Sequence, residues 1–156
     1  MICTAAGAAF SSALKHRCTM LRSVLGVLDE MSAKIRYAGI PLNELIAEMT
    51  GERAYSDCTF LKRTAAGMNS GLTASEAWTA AAEATPFFSD NDRRILADIG
   101  SRLGGTDTEG QLSMLALGST LISRELEAAE LECSRKSRTL MSVWTMCGIG
   151  AGIIII

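Results

Sequence analysis

The chain has 156 residues, about the length of one domain. With 48% hydrophobic and 21% charged residues it has the apolar content for a core, which excludes a disordered tail. Five Cys are too few, and odd in number, for a disulfide scaffold, and a net charge of −2 gives no basic field for a polyphosphate backbone, so no nucleic-acid partner is expected.

Residues 1–14 carry no charge and include five Ala. As a helix they would reach only about 21 Å. They lack the basic start of a secretory signal, because Lys15 and Arg17 follow the segment rather than precede it. Three readings stay open: a short or truncated membrane span, a segment lying in the interface, or the first turns of helix one.

From Leu21 to Ala38 the apolar positions Leu21, Val24, Leu25, Leu28, Met31 and Ile35 recur at steps of three and four, one stripe of an amphipathic helix. Gly39 ends that helix and Pro41 starts the next, where a missing N–H costs nothing. Leu42, Leu45, Ile46 and Met49 continue the stripe to Gly51. Ser56 is then expected to cap a third helix carrying Phe60, Leu61 and Ala65, closing between Gly67 and Gly71.

Thr73 stands three residues before Glu76, the spacing of a capping box, and opens a helix with Ala77, Trp78, Ala81 and Ala82 on a small-residue face. Ser89 and Asp92 repeat the spacing ahead of Ile95, Leu96, Ile99 and Leu103, and Gly104-Gly105 stops that helix. Asp107 or Thr108 opens the last one, with Leu112, Leu115, Ile122, Leu126 and Ala129 spaced for packing. Between Gln111 and Arg138 the only helix breaker is Gly118, so this helix is expected to run on into the C-terminal segment. No alternating run of β-branched residues competes. The fold class is all-α, a helical bundle.

Residues 139–156 carry no charge and end in four consecutive Ile, which leaves no polar face. As a helix they would extend about 27 Å, close to the roughly 30 Å of bilayer hydrocarbon, and a transmembrane helix is expected there. Trp144 would lie near the headgroups, and Gly148 and Gly152 form a GxxxG spacing that lets another helix approach closely, including one from a second copy.

The charge map agrees with this division. All 17 acidic residues lie between Asp29 and Glu132, and residues 19–134 hold ten Lys plus Arg against them, a local balance of −7. The other five basic residues, Lys15, Arg17, Arg135, Lys136 and Arg138, flank the uncharged ends. By the positive-inside rule that arrangement puts residues 15–138 in the cytoplasm, a reducing compartment consistent with unpaired Cys. The domains expected are a membrane-proximal or short membrane segment at 1–18, a helical bundle at 19–138 and a membrane helix at 139–156.

Chemistry is hard to find. His16 is the single histidine and reads as part of the basic rim. Cys3, Cys18, Cys58, Cys133 and Cys147 form no CxxC, no phosphate-binding glycine pattern is present, and neither metal nor cofactor is expected. Glu125, Glu127, Glu130 and Glu132 read as a solvated helix face, with Glu132 spaced to pair with Lys136. Arg93-Arg94 beside Asp90 and Asp92 reads as surface charge of a first turn. A thiol enzyme using Cys58 or Cys133 is a remote alternative to a non-enzymatic role.

Taken in order, the chain contains Leu28-x-Glu30-x3-Lys34-Ile35-x-Tyr37-Ala-Gly-Ile-Pro41-Leu42, then Gly71-Leu-Thr73-Ala-Ser-Glu76-Ala77-Trp78, then Asp92-x3-Leu96-x3-Gly100-x2-Leu103-Gly104-x2-Asp107-x3-Gln111. This order resembles the stage III sporulation protein AB family of endospore-forming bacteria over nearly the whole length. The resemblance makes Tyr37, Pro41, Trp78, Gly104, Asp107 and Gln111 the family's signature positions here, read as fold-specifying rather than catalytic. It implies a mother-cell membrane protein of the channel complex between mother cell and forespore. It also implies a six-helix-type bundle like the cytoplasmic domains of the inner-membrane platform in type II secretion and type IV pilus machines. By that analogy the partners are the sporulation ATPase, stage III protein AA, and the membrane proteins of the channel. The departure is at the N-terminus, where the family has a convincing spanning helix and this chain has fourteen Ala-rich residues. That leaves open a single-span topology or a wrongly placed start. An adaptor with the same anchor acting outside sporulation is the alternative.

Overall fold

The computed structural model describes the backbone of residues 2–105 and 107–154 and the side chains of residues 12–105 and 107–135. Among these are six α-helices and one 3₁₀ turn, and no strand. The helices are α1 (Ile2–Ala38), α2 (Leu42–Gly51), α3 (Thr59–Asn69), α4 (Ala74–Ala84), α5 (Asp90–Arg102) and α6 (Thr108–Ile154), with the 3₁₀ turn at Arg53–Tyr55 between α2 and α3.

The frame is the pair α1 and α6, which pack along each other antiparallel. Asp29 meets Ser119 at one level, while Cys18 and Leu14 cluster with Ala129 and Cys133 at another. Of the shorter helices, α2 and α3 lie against α1 and α5 against α6, while α4 packs on α3 and α5. Their common core gathers Leu21, Val24, Leu28 and Met31 of α1 with Ile46, Phe60, Trp78, Leu96 and Leu115. Every apolar residue of the stripe predicted over 21–38 except Leu25 and Ile35 is buried, and those two pack at its margin.

Local signals explain the boundaries. Both capping boxes form: the Thr73 side chain accepts from the Glu76 N–H, and that of Ser89 from the Asp92 N–H, with the acidic side chain reaching back each time. Gly39 at φ +59° and Gly104 at φ +78° supply the left-handed backbone that ends α1 and α5, a region where Cβ meets the following carbonyl. Pro41 is the N-cap of α2, and the Asp107 carboxylate accepts the Gly110 N–H at 3.1 Å to open α6.

The third helix starts differently from the expectation. Ser56 does not cap it; the chain first makes the 3₁₀ turn, and α3 begins at Thr59 behind Cys58. The physical reason is a long-range tie: the Tyr55 hydroxyl donates to the Gly26 carbonyl at 3.1 Å and holds the turn against α1.

The expected domain limits at residues 18 and 138 both fall inside unbroken helices, α1 and α6. The last helix thus runs from the body into the C-terminal segment as one element. Among the described residues no helix is long and apolar enough to cross a membrane. The expected span at 139–156 with Gly148 and Gly152, the flanking Lys136 and Arg138, and the side chains of residues 1–11 lie outside the residues whose side chains are described.

Candidate functional site

The two ends of the bundle differ in chemistry. At the end where α1 and α6 pass toward the uncharged segments, the first turn of α5 is clamped by an ionic cluster. The capping box brings the Asp92 carboxylate back over its own helix start, where Oδ2 accepts the Ser89 N–H at 2.8 Å. Arg17 of α1 then meets it with a two-pronged contact, Nε to Oδ2 at 2.8 Å and Nη2 to Oδ1 at 2.8 Å. The same Nη2 donates to Ser89 Oγ at 3.2 Å and to Glu125 Oε2 of α6 at 2.9 Å, and Asn91 holds the other Glu125 oxygen at 2.8 Å.

Asp92 is 0% exposed and the Arg17 side chain 16% exposed, so the pair is largely out of water. The hydrogen bond with Asp92 is the main influence raising the Arg17 pKa above its ordinary value, with Glu125 adding to it against the cost of burial. Two sequence expectations change here. Arg17, expected only to flank the uncharged start, is also a strut joining α1, α5 and α6, and Asp92 is a buried acceptor rather than first-turn surface charge. Glu125 likewise belongs to the cluster, and Glu130 pairs with Arg22 of α1, so the glutamates of α6 are not simply solvated. Lys15 and Arg135 are exposed.

The turn between α4 and α5 lies beside this clamp. Phe87 adopts φ +74° and stacks on His16 of α1 with ring centroids 5.0 Å apart. A small cleft there is lined by Ala13, Leu14, Arg17, Phe87 and Glu132. His16 therefore belongs to a ring contact, which the sequence did not signal.

The opposite end is built from the corners. A cleft of 690 Å³ opens between α2, α3 and the start of α4, lined among others by Leu42, Ile46, Met68, Leu72 and Gly104. It adjoins a smaller one of 250 Å³ lined by Ile35, Gly39, Pro41, Gly104, Thr108 and Gln111. Of the six signature positions, Pro41, Gly104 and Gln111 therefore share one site, with Asp107 capping the helix beside it.

Trp78 is elsewhere, fully buried in the core, edge-on to Phe60 at 4.7 Å with its indole N–H donating to the Leu96 carbonyl at 2.9 Å. Tyr37 is 84% exposed and so does not hold its corner by burial. Below it, Lys34 reaches Glu52 at 2.7 Å, Glu48 at 3.2 Å and Glu30 at 3.5 Å, fastening α1 to α2; the Glu52 contact is the first cause of its raised pKa.

Among the described residues no three His, Cys, Asp or Glu side chains gather as metal ligands would. Burial pushes the Cys58 and Cys18 thiols up, opposite to the direction that activates a nucleophile.

Comparison with known proteins places the architecture. A solved structure described as "Stage III sporulation protein AB (SpoIIIAB)" superposes with a TM-score of 0.65 at 20% identity, covering 76% of this chain and 97% of that one, a likeness of fold. A search of curated proteins gives no match. The family described as "Stage III sporulation protein AB" matches residues 1–156. A match over the full length, on a bundle of the same fold, means that the chain belongs to the stage III sporulation protein AB family.

Proposed function

We propose that the protein is a non-enzymatic platform of the sporulation channel complex. It is held in the mother-cell membrane facing the forespore by residues 139–156, and the bulk of the chain lies in the cytoplasm. In this reading the end of the bundle remote from the membrane docks the secretion-type ATPase, stage III sporulation protein AA. The uncharged end segments contact the bilayer, and Gly148 and Gly152 give other membrane helices of the channel, or a second copy, a place to approach.

The observation that carries the reading is the antiparallel pairing of α1 and α6. Because Leu14 and Cys133 belong to one cluster, the uncharged stretches starting at residues 14 and 139 leave from the same end of the body. The corners with Tyr37, the exposed Leu72 and the two adjoining clefts are at the other end. An exposed aromatic at the same end as a cleft is the kind of anchor point that protein partners use. The acidic body favours a partner carrying basic patches. Membership of a sporulation family supports the process and sets aside an adaptor outside sporulation.

The test is co-purification of the full-length chain in detergent with the ATPase. Capture is expected for the native protein and is lost in Tyr37→Glu/Leu72→Glu, with helicity and melting temperature unchanged. No capture by the native chain rejects ATPase docking. Capture unaffected by the double variant moves the docking surface elsewhere.

A further inference from the structure

We propose that the turn between α4 and α5 is a lipid-contacting site, in which the Phe87 ring enters the headgroup layer of the membrane beside α1 and α6. The inference rests on the membrane reading of residues 139–156 and adds a contact that reading does not contain.

Three observations converge on it. The first is conformational. Phe87 at φ +74° is the one non-glycine among the described residues with positive φ. A bulky side chain is a poor choice for that backbone region, which glycine or asparagine enters at far lower cost. The turn geometry alone gives no reason for an aromatic there.

The second is the opposed placement of two adjacent rings. Phe88 is 4% exposed and packs against Phe60 with centroids 6.0 Å apart, so it seats the turn in the core. Phe87 points the other way and is 43% exposed, with one side stacked on His16. The base beneath is rigid: the buried Thr85 hydroxyl donates to the Ala81 carbonyl at 2.6 Å, and Ser89 is gripped by Arg17. A stiff base presenting one outward ring differs from a mobile loop with an incidental apolar residue.

The third is position. Phe87 shares its cleft with Ala13 and Leu14, the last residues of the uncharged start, and with Glu132 of α6. Residue 139 lies seven positions beyond Glu132, about 10 Å along a helix. Headgroup layers add about 5–7 Å on each side of the hydrocarbon. With 139–156 along the bilayer normal the ring therefore stands about 3–5 Å outside that layer, a gap that a modest tilt of the body closes. The exposed Lys15 and His16 on α1 are at the same level and supply donors for lipid phosphates. Asp90 and Glu132 are there too, so the contact is one of ring insertion rather than of selection for anionic lipid.

The experiment uses the full chain reconstituted in phosphatidylcholine–phosphatidylglycerol vesicles, with the photo-crosslinker p-benzoylphenylalanine in place of Phe87 or, as a control at the other end of the body, of Tyr37. Irradiation is expected to give phospholipid adducts by mass spectrometry from position 87 and none from position 37. Flotation of the chain with vesicles but no lipid adduct at 87, or an adduct to a second copy, overturns this inference alone. Failure to float overturns it together with the membrane reading. In detergent, Phe87→Gly is expected to melt no lower than the native chain; a fall like that of a core truncation assigns the ring to folding and also overturns the proposal.

Discussion

Removing Arg17 is the sharpest test of how the bundle is held. In Arg17→Ala the Asp92 carboxylate, 0% exposed, loses both prongs at 2.8 Å and keeps the Ser89 N–H. Breaking a buried ion pair by deleting one partner costs about 3–5 kcal/mol, because the remaining charge is left uncompensated. Arg17 retains some exposure and Asp92 one donor, so the lower end, about 3 kcal/mol, is expected. For a chain of this size that corresponds to a melting temperature lower by about 6–12 °C. Arg17→Lys keeps the charge but not the planar fork, and is expected to fall between. The assay is urea and thermal unfolding followed by circular dichroism, completed as a double-mutant cycle with Asp92→Ala. A loss below about 1 kcal/mol, the range of exposed ion pairs, refutes the reasoning, as does a coupling near zero.

Other perturbations read the core and the caps. Trp78→Ala is expected to cost about 3–5 kcal/mol, since it empties a fully buried site and removes the indole hydrogen bond to the Leu96 carbonyl, and unfolding measurements check it. Gly100→Ala is expected to destabilise by about 1–3 kcal/mol despite the better helix propensity of Ala, because its Cβ would stand 2.7 Å from Trp78 Cδ1; equal or raised stability contradicts that packing. The Glu76 pKa is lowered, first by the Thr73 N–H and then by the Thr73 hydroxyl. A carboxylate depressed in the folded state adds stability above its unfolded pKa, and that stability is lost as pH falls through the folded value. Glu76→Gln is thus expected to flatten the acid limb of the stability–pH curve below about pH 4.5 and leave its shape near neutrality unchanged.

What the sequence made legible was what local physics decides. The stripe from Leu21 to Met31, the two capping boxes, the glycines at φ +59° and +78° and the continuity of the last helix each follow from neighbours within a few positions. The errors share one cause. Ser56 looked like a cap because Tyr55 gave no sign of its bond to Gly26, 29 positions away. The strut role of Arg17 is invisible in the sequence for the same reason, because Asp92 and Glu125 are 75 and 108 positions distant. Phe87 drew no notice, since neither its backbone conformation nor its stacking on His16 has a periodic signature. A charge next to an uncharged segment predicts a flanking role on average, and only tertiary pairing reveals a further role.

The clamp also bears on how a platform could transmit force. Apolar residues of similar volume often replace a buried ion pair without loss of stability, because desolvating charges costs much of what their attraction returns. Apolar side chains tolerate sliding, whereas a planar guanidinium fork on a carboxylate fixes both distance and angle. In this bundle the fork fixes the first turn of α5, and through Ser89 the adjoining turn with Phe87, against both long helices at once. At the other end Lys34 fastens only α1 to α2, through the partly exposed Glu48 and Glu52, with Glu30 of its own helix as a third partner. The contacts nearest the uncharged segments are thus the more buried on the acidic side, with Asp92 0% exposed against 37–54% for the partners of Lys34. The ionic contacts are therefore graded along the body, from a fully buried carboxylate beside the uncharged segments to half-exposed carboxylates at the corners.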